Sequence, residues 1–189
     1  AIDTKDAVVD ITNPLETGIV NGTNIISFTT NEALFASECS VDNINWIACT
    51  SGSTTLGTIP EFAGLGQGTF TLFAQATDSA GNTYGTDSEG GIIKDTVAPT
   101  GTISVDTATI YEGDLVQIVT ITYSETMDTG FTPAVGFAGN TVSFVSQGDG
   151  AWSVSDTVWT ETFNTTDTDE ETAVVTVSSS GGTDIAGTT

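Results

Sequence analysis

Five stretches of this chain alternate apolar and polar residues with a period of two: Gly22 to Thr30 (GTNIISFTT), Gly68 to Thr77 (GTFTLFAQAT), Asp114 to Ser124 (DLVQIVTITYS), Asn140 to Gln147 (NTVSFVSQ) and Thr172 to Ser180 (TAVVTVSSS). Residues two apart share one face of a strand, so each stretch can bury one side of an antiparallel sheet and wet the other. β-branched and aromatic residues, which suit a pleated surface, occupy the apolar side. Turn clusters DSAGNT, SQGDG and SSGG separate the stretches, and no segment keeps a convincing 3.6-residue period; EFAG after Pro60 reads as one short helical turn. The fold class expected is all-β, with the many short strands of antiparallel β-sandwiches.

Charge narrows the function. The chain carries 25 acidic residues against two lysines, with no Arg and no His, for a net charge of −23. Such a surface repels phosphate and anionic lipid, which excludes nucleic acid as a partner. It attracts cations, Ca²⁺ at clustered carboxylates in particular, unless the acidity serves solubility alone. No apolar run approaches the length of a transmembrane helix. No basic segment followed by an apolar one suggests a signal peptide within these residues.

The two lysines each open a Lys-Asp-x-Val step, Lys5-Asp6-Ala7-Val8 and Lys94-Asp95-Thr96-Val97, 89 residues apart. That spacing is about one sandwich domain and predicts a tandem repeat. Two further echoes occur in the same order: TTNEAL (Thr29 to Leu34) with TYSETM (Thr122 to Met127), and DSAGNT (Asp78 to Thr83) with DIAGTT (Asp184 to Thr189). Pro99 stiffens the segment between the halves and extends Ala98, so the expected domains are residues 1–97 and 98–189, in line.

Cys39 and Cys49 flank the turn-forming DNIN, so a hairpin would bring the sulfurs across from each other. A disulfide places the protein outside the cytoplasm; a pair of free buried thiols is the alternative, and two sulfurs without His make a poor zinc site. Asn21 (NGT) and Asn164 (NTT) match the N-glycosylation pattern, a match short enough to arise by chance in a Thr-rich chain.

In the first half, Cys39-Ser40-Val41-Asp42, Trp46, Cys49-Thr50-Ser51, Ala76-Thr77-Asp78-Ser79-Ala80-Gly81-Asn82 and Asp95-Thr96-Val97-Ala98-Pro99 follow one another in order. Through these residues the first half resembles bacterial and archaeal Ig-like tandem repeats. The second half is similar to a sister group through Thr120 to Asp128 and Val175 to Gly187. The resemblance implies non-catalytic spacer, adhesive or surface-layer roles on microbial cells, often with calcium between modules. It implies no single activity.

The repeat also has a phase. YGTDSEGGIIKDT follows the first DSAGNT turn as a closing strand, whereas no such strand follows DIAGTT. Residues Ala1, Ile2, Asp3, Thr4, Lys5 and Asp6 align with the end of that closing strand, Gly90 to Asp95. Two readings fit: an excerpt of a longer array, or a subunit whose first six residues complete the second sandwich of a neighbouring copy.

In an Ig-type sandwich the entering strand meets two loops at one end. This would gather Asp95, Glu125 with nearby Asp128, and Asp184 for the second domain, and Asp6, Glu32 and Asp78 for the first. Three or more carboxylates with carbonyls and water suit the six to eight oxygens of Ca²⁺. The competing reading makes Asp78 and Asp184 turn starters, with Gly81 and Gly187 at positive φ, and Glu32 and Glu125 solvated loop charges. The acidic stretch Asp167 to Thr172 reads as a solvated loop or a second cation site. Trp152 and Trp159 read as core residues or as an exposed sugar-stacking face.

Without His, Ser and Cys nucleophiles lack their usual base, and without Arg an anion lacks its clamp, so catalysis is not expected. The function expected is a structural module of an extracellular microbial fibre, surface layer or adhesin stalk, joined to copies of itself or to adjacent Ig-like domains. The alternative is a glycan- or cell-surface-binding module; a third idea is an anionic layer that concentrates cations.

Overall fold

A computed structural model describes residues 5, 7–82, 86–139, 143–166 and 174–189. The chain forms two units, Ala1–Thr96 and Val97–Thr189, both built on antiparallel strand pairs.

In the first unit β1 (Val9–Asn13) pairs with β3 (Ser27–Thr30). A five-stranded sheet has the order β2 (Ile19–Val20), β7 (Asp87–Lys94), β6 (Gly68–Asp78), β4 (Leu34–Ser40), β5 (Ile47–Ala48). Alternation does what the sequence predicts in β6: Phe70, Leu72, Ala74 and Ala76 are buried, and the residues between them are half-buried. They join Val9 and Ile11 of β1 and Ile92 of β7 in one core. Leu56, Ile59 and Phe62 close that core from the connection between β5 and β6. There a 3-10 turn at Leu56–Thr58 runs into α1 (Pro60–Gly64), whose first residue is a proline with φ already suited to a helix.

The period-two stretch from Gly22 is shorter as a strand than expected, because local hydrogen bonds compete for its backbone. Asn21 Oδ1 accepts the Thr23 N–H (2.8 Å) and Asn24 Oδ1 accepts the Asn21 N–H (2.7 Å), so the strand begins only at Ser27. The cysteine hairpin forms. Cys39 of β4 lies opposite Ile47 of β5, and Cys39 and Cys49 are disulfide-bonded, with Cα atoms 5.5 Å apart. Asp42 organises the turn: its Oδ1 accepts the N–H groups of Ile44 and Asn45, both at 2.8 Å. Those bonds, the one from Asn45 first, hold its carboxyl well below the usual range.

In the second unit the larger sheet has the order β11 (Val145–Ser146), β13 (Val158–Asn164), β9 (Val116–Tyr123), β8 (Gly101–Val105), and β12 (Ala151–Trp152) also pairs with β13. β10 (Ala134–Ala138) and β14 (Thr176–Ser180) form a separate antiparallel pair. Val119 and Ile121 of β9 and Trp159 and Phe163 of β13 are buried, and Phe137 of β10 meets the Phe163 ring at 4.9 Å, edge to face. Strand β9 begins two residues later than its pattern, since the Asp114 N–H turns back to the Tyr111 carbonyl (2.7 Å). Asn140 to Thr141 and Val142, and Thr172 and Ala173, fall outside the described residues, as does the acidic stretch at 167–172.

Candidate functional site

Asp78 and Asp184 start the same turn. The Gly81 N–H reaches the Asp78 carbonyl (3.2 Å) and the Gly187 N–H reaches the Asp184 carbonyl (3.1 Å), with both glycines at positive φ, 89° and 82°. A Cβ is disfavoured in that region, which is why glycine stands at both places. Asp78 Oδ1 accepts the Asn82 N–H (2.9 Å) and Asp184 Oδ1 the Thr188 N–H (2.8 Å). Each aspartate also pairs across to the residue two places after the echoed glutamate, Leu34 with Asp78 and Met127 with Asp184. The echo in the sequence is thus an echo in hydrogen bonding.

Both aspartates are buried. The Asn82 side chain, which donates to Asp78 Oδ2 at 2.8 Å, is the main cause holding the Asp78 carboxyl below its ordinary pKa; burial opposes it, and the N–H groups of Asn82 and Ala80 reinforce it.

In the second unit a carboxylate oxygen of Glu125 lies within 4.8 Å of one from Asp184. Asp95, the third member of the expected set, follows β7 in the first unit, where its N–H donates to the Val20 carbonyl. An all-carboxylate donor set suits a hard, oxygen-seeking cation. Asp128 is not in this group: its Oδ1 accepts the Gly130 N–H at 2.8 Å and its own N–H goes to the Thr183 carbonyl. In the first unit Glu32 Oε1 is buried with no hydrogen-bond partner among the described residues, the condition of an oxygen that a cation would satisfy. Asp6, its expected companion, lies outside the described residues, and Glu32 and Asp78 form no group of three there.

A second feature concerns the sheet edges. In the first unit β6 is bordered by β4 on one side and β7 on the other. In the second unit, among the described residues, β14 pairs with β10 alone. Of the leading segment only Lys5 is described; it is exposed, and its carbonyl accepts a long bond from Asn82 Nδ2 (3.4 Å). Residues 1–4 and Asp6 lie outside the described residues.

No protein-family model matches the chain, and no curated protein does.

Lys94 is what sequence reasoning missed. Read as a marker of the boundary, it is instead a buried end of β7 whose ammonium donates to the carbonyls of Phe62 (2.8 Å) and Leu65 (2.7 Å) and sits 4.8 Å from the centre of the Phe62 ring. The available signal was its place at the end of an apolar GGII run. Trp159 is buried, and Trp152 is half-buried between the rings of Tyr123 and Trp159 at 5.6 and 5.3 Å. Neither offers a bare face to a sugar.

Proposed function

We propose that this chain is a non-catalytic structural module of an extracellular microbial fibre, surface layer or adhesin stalk, made of two Ig-like sandwiches and joined end to end by strand addition. The observation that carries the reading is the unequal bordering of equivalent strands: β6 has two neighbours, while β14 has one among the described residues. An unpaired edge exposes N–H and C=O groups that another strand satisfies. The leading segment, aligned in sequence with the end of β7, is the strand assigned to that edge in a neighbouring copy. An adjacent Ig-like domain would supply the same pairing.

The disulfide favours an oxidising compartment, hence the cell surface. Calcium at the carboxylates of Glu125 and Asp184 is part of the proposal: it would neutralise groups that repel one another and stiffen the second unit. The glycan-binding alternative rested on Trp152 and Trp159, which are half-buried and buried.

The test is to compare the whole chain with a variant lacking residues 1–6, by light-scattering mass and electron microscopy. The expected outcome is end-to-end oligomers for the whole chain and their loss on deletion, with rescue of capping by a peptide of residues 1–8. Oligomers of unchanged length after deletion would show that the leading segment is not the joint.

A further inference from the structure

Two Asn-x-Thr triplets occur in the described residues, Asn21-Gly22-Thr23 and Asn164-Thr165-Thr166, and the fold treats them oppositely. Asn21 is 7% exposed. Its Oδ1 accepts both the N–H and the hydroxyl of Thr23, at 2.8 and 2.6 Å, and the adjoining Gly22 carbonyl accepts the Gly57 N–H (2.8 Å). Gly57 comes so near that a Cβ there would lie 2.8 Å from the Gly22 oxygen. There is no room for a sugar on this amide without opening the core wall.

Asn164 is exposed and ends β13, and Thr166, whose hydroxyl completes the triplet, is exposed too. Register places Asn164 between Val145 of β11 and Val116 of β9. Residues directly opposite in neighbouring strands share a face. Both valines are exposed, by 58% and 43%, and Ile118, opposite Thr162 in the next row, by 41%. The whole of this face on β9 and β13, from Val116, Ile118, Thr120 and Thr122 to Val158, Thr160, Thr162 and Asn164, bears no charge, in a chain with 25 acidic residues.

We propose that Asn164 is an N-glycosylation site whose glycan lies along this uncharged apolar row, and that Asn21 is not glycosylated in the folded protein. The donor is an oligosaccharide linked to a lipid pyrophosphate. Asn164 Nδ2 bonds to the anomeric carbon, the bond from that carbon to the pyrophosphate oxygen breaks, and the amide gives up one proton as the lipid pyrophosphate leaves. The C–H faces of the first sugars then cover Val116 and Val145, which would otherwise meet water. This inference shares only the extracellular location with the assembly reading and does not depend on strand addition.

The experiment secretes the whole chain from a host with an oligosaccharyltransferase, isolates the folded fraction and measures intact mass. Peptide:N-glycosidase in heavy-oxygen water then marks the occupied asparagine. The expected result is a glycan on Asn164 alone, lost in Asn164→Gln and equally in Thr166→Ala, and unchanged in Asn21→Gln. Binding of a hydrophobic dye is expected to be higher for Asn164→Gln than for the glycosylated protein. Folded protein without carbohydrate, or with carbohydrate on Asn21, overturns the site; equal dye binding overturns the covering of the apolar row.

Discussion

An ammonium moved out of water into an apolar interior is tolerated only where oxygen dipoles replace its hydration. Lys94 meets that condition through the carbonyls of Phe62 and Leu65 and the face of the Phe62 ring. Lys94→Met keeps the stem and removes the donors, so it should cost the first unit about 2 kcal/mol or more, read as a lower urea midpoint by Trp46 fluorescence. Lys94→Arg should not restore it, because a planar fork does not fit a clasp shaped for a compact cation. Asp78 gives a pH dependence of definite sign. Its folded pKa is depressed, chiefly by Asn82, so its contribution is complete above the unfolded value near about 3.9 and is lost as pH falls through the folded value. Stability of the first unit should therefore drop on acidification below about pH 4. The acid limb of a urea-midpoint titration should be shallower for Asp78→Asn than for the parent.

At the scale of elements, Gly150 tests the packing of the second unit. A Cβ there would stand 2.2 Å from Cζ2 of Trp159, a side chain buried on the central strand β13. Gly150→Ala should destabilise the unit by about 1 to 3 kcal/mol, the range for overpacking, measured as a shifted denaturation midpoint in Trp emission. Nothing in the sequence around SQGDGAW announces that contact. By contrast, β6 and β9 were legible because alternation is a local property that burial on one face requires. The cysteine hairpin was legible for a similar reason, with Asp42 and Asn45 writing the turn into four residues. Lost to sequence reading were the late start of β3, where asparagine side chains outbid the ladder, and the carbonyl clasp on Lys94, which unites residues about thirty apart. Of the acidic sets, the expectation for an Ig-type sandwich grouped Glu125 with Asp184, whose carboxylate oxygens lie within 4.8 Å, and had Asp128 nearby; Asp128 Oδ1 accepts the Gly130 N–H, a turn that spacing alone does not reveal.

For the whole molecule, a charge of −23 makes self-repulsion a standing load on both units. Melting temperature should rise between about 0.01 and 0.15 M monovalent salt, as the screening length contracts from about 30 to 8 Å. Micromolar to millimolar Ca²⁺ should add an increment beyond equal ionic strength, reversed by chelator and reduced in Glu125→Gln; identical melting with Ca²⁺ and with chelator would remove calcium from the account. The clasp on Lys94 also has a mechanical meaning. The chain leaves β7 at Lys94, and the next residues are tied down by Asp95 N–H to the Val20 carbonyl (2.8 Å) and by Thr96 N–H to Gln67 Oε1 (3.0 Å). Strand β2 runs parallel to β7 at this exit, so a pull on the chain beyond Thr96 meets these bonds in shear, several at once, where a hairpin would unzip one by one. Tension in the polypeptide would be borne at the lysine end of β7 before it reached the rest of the sheet.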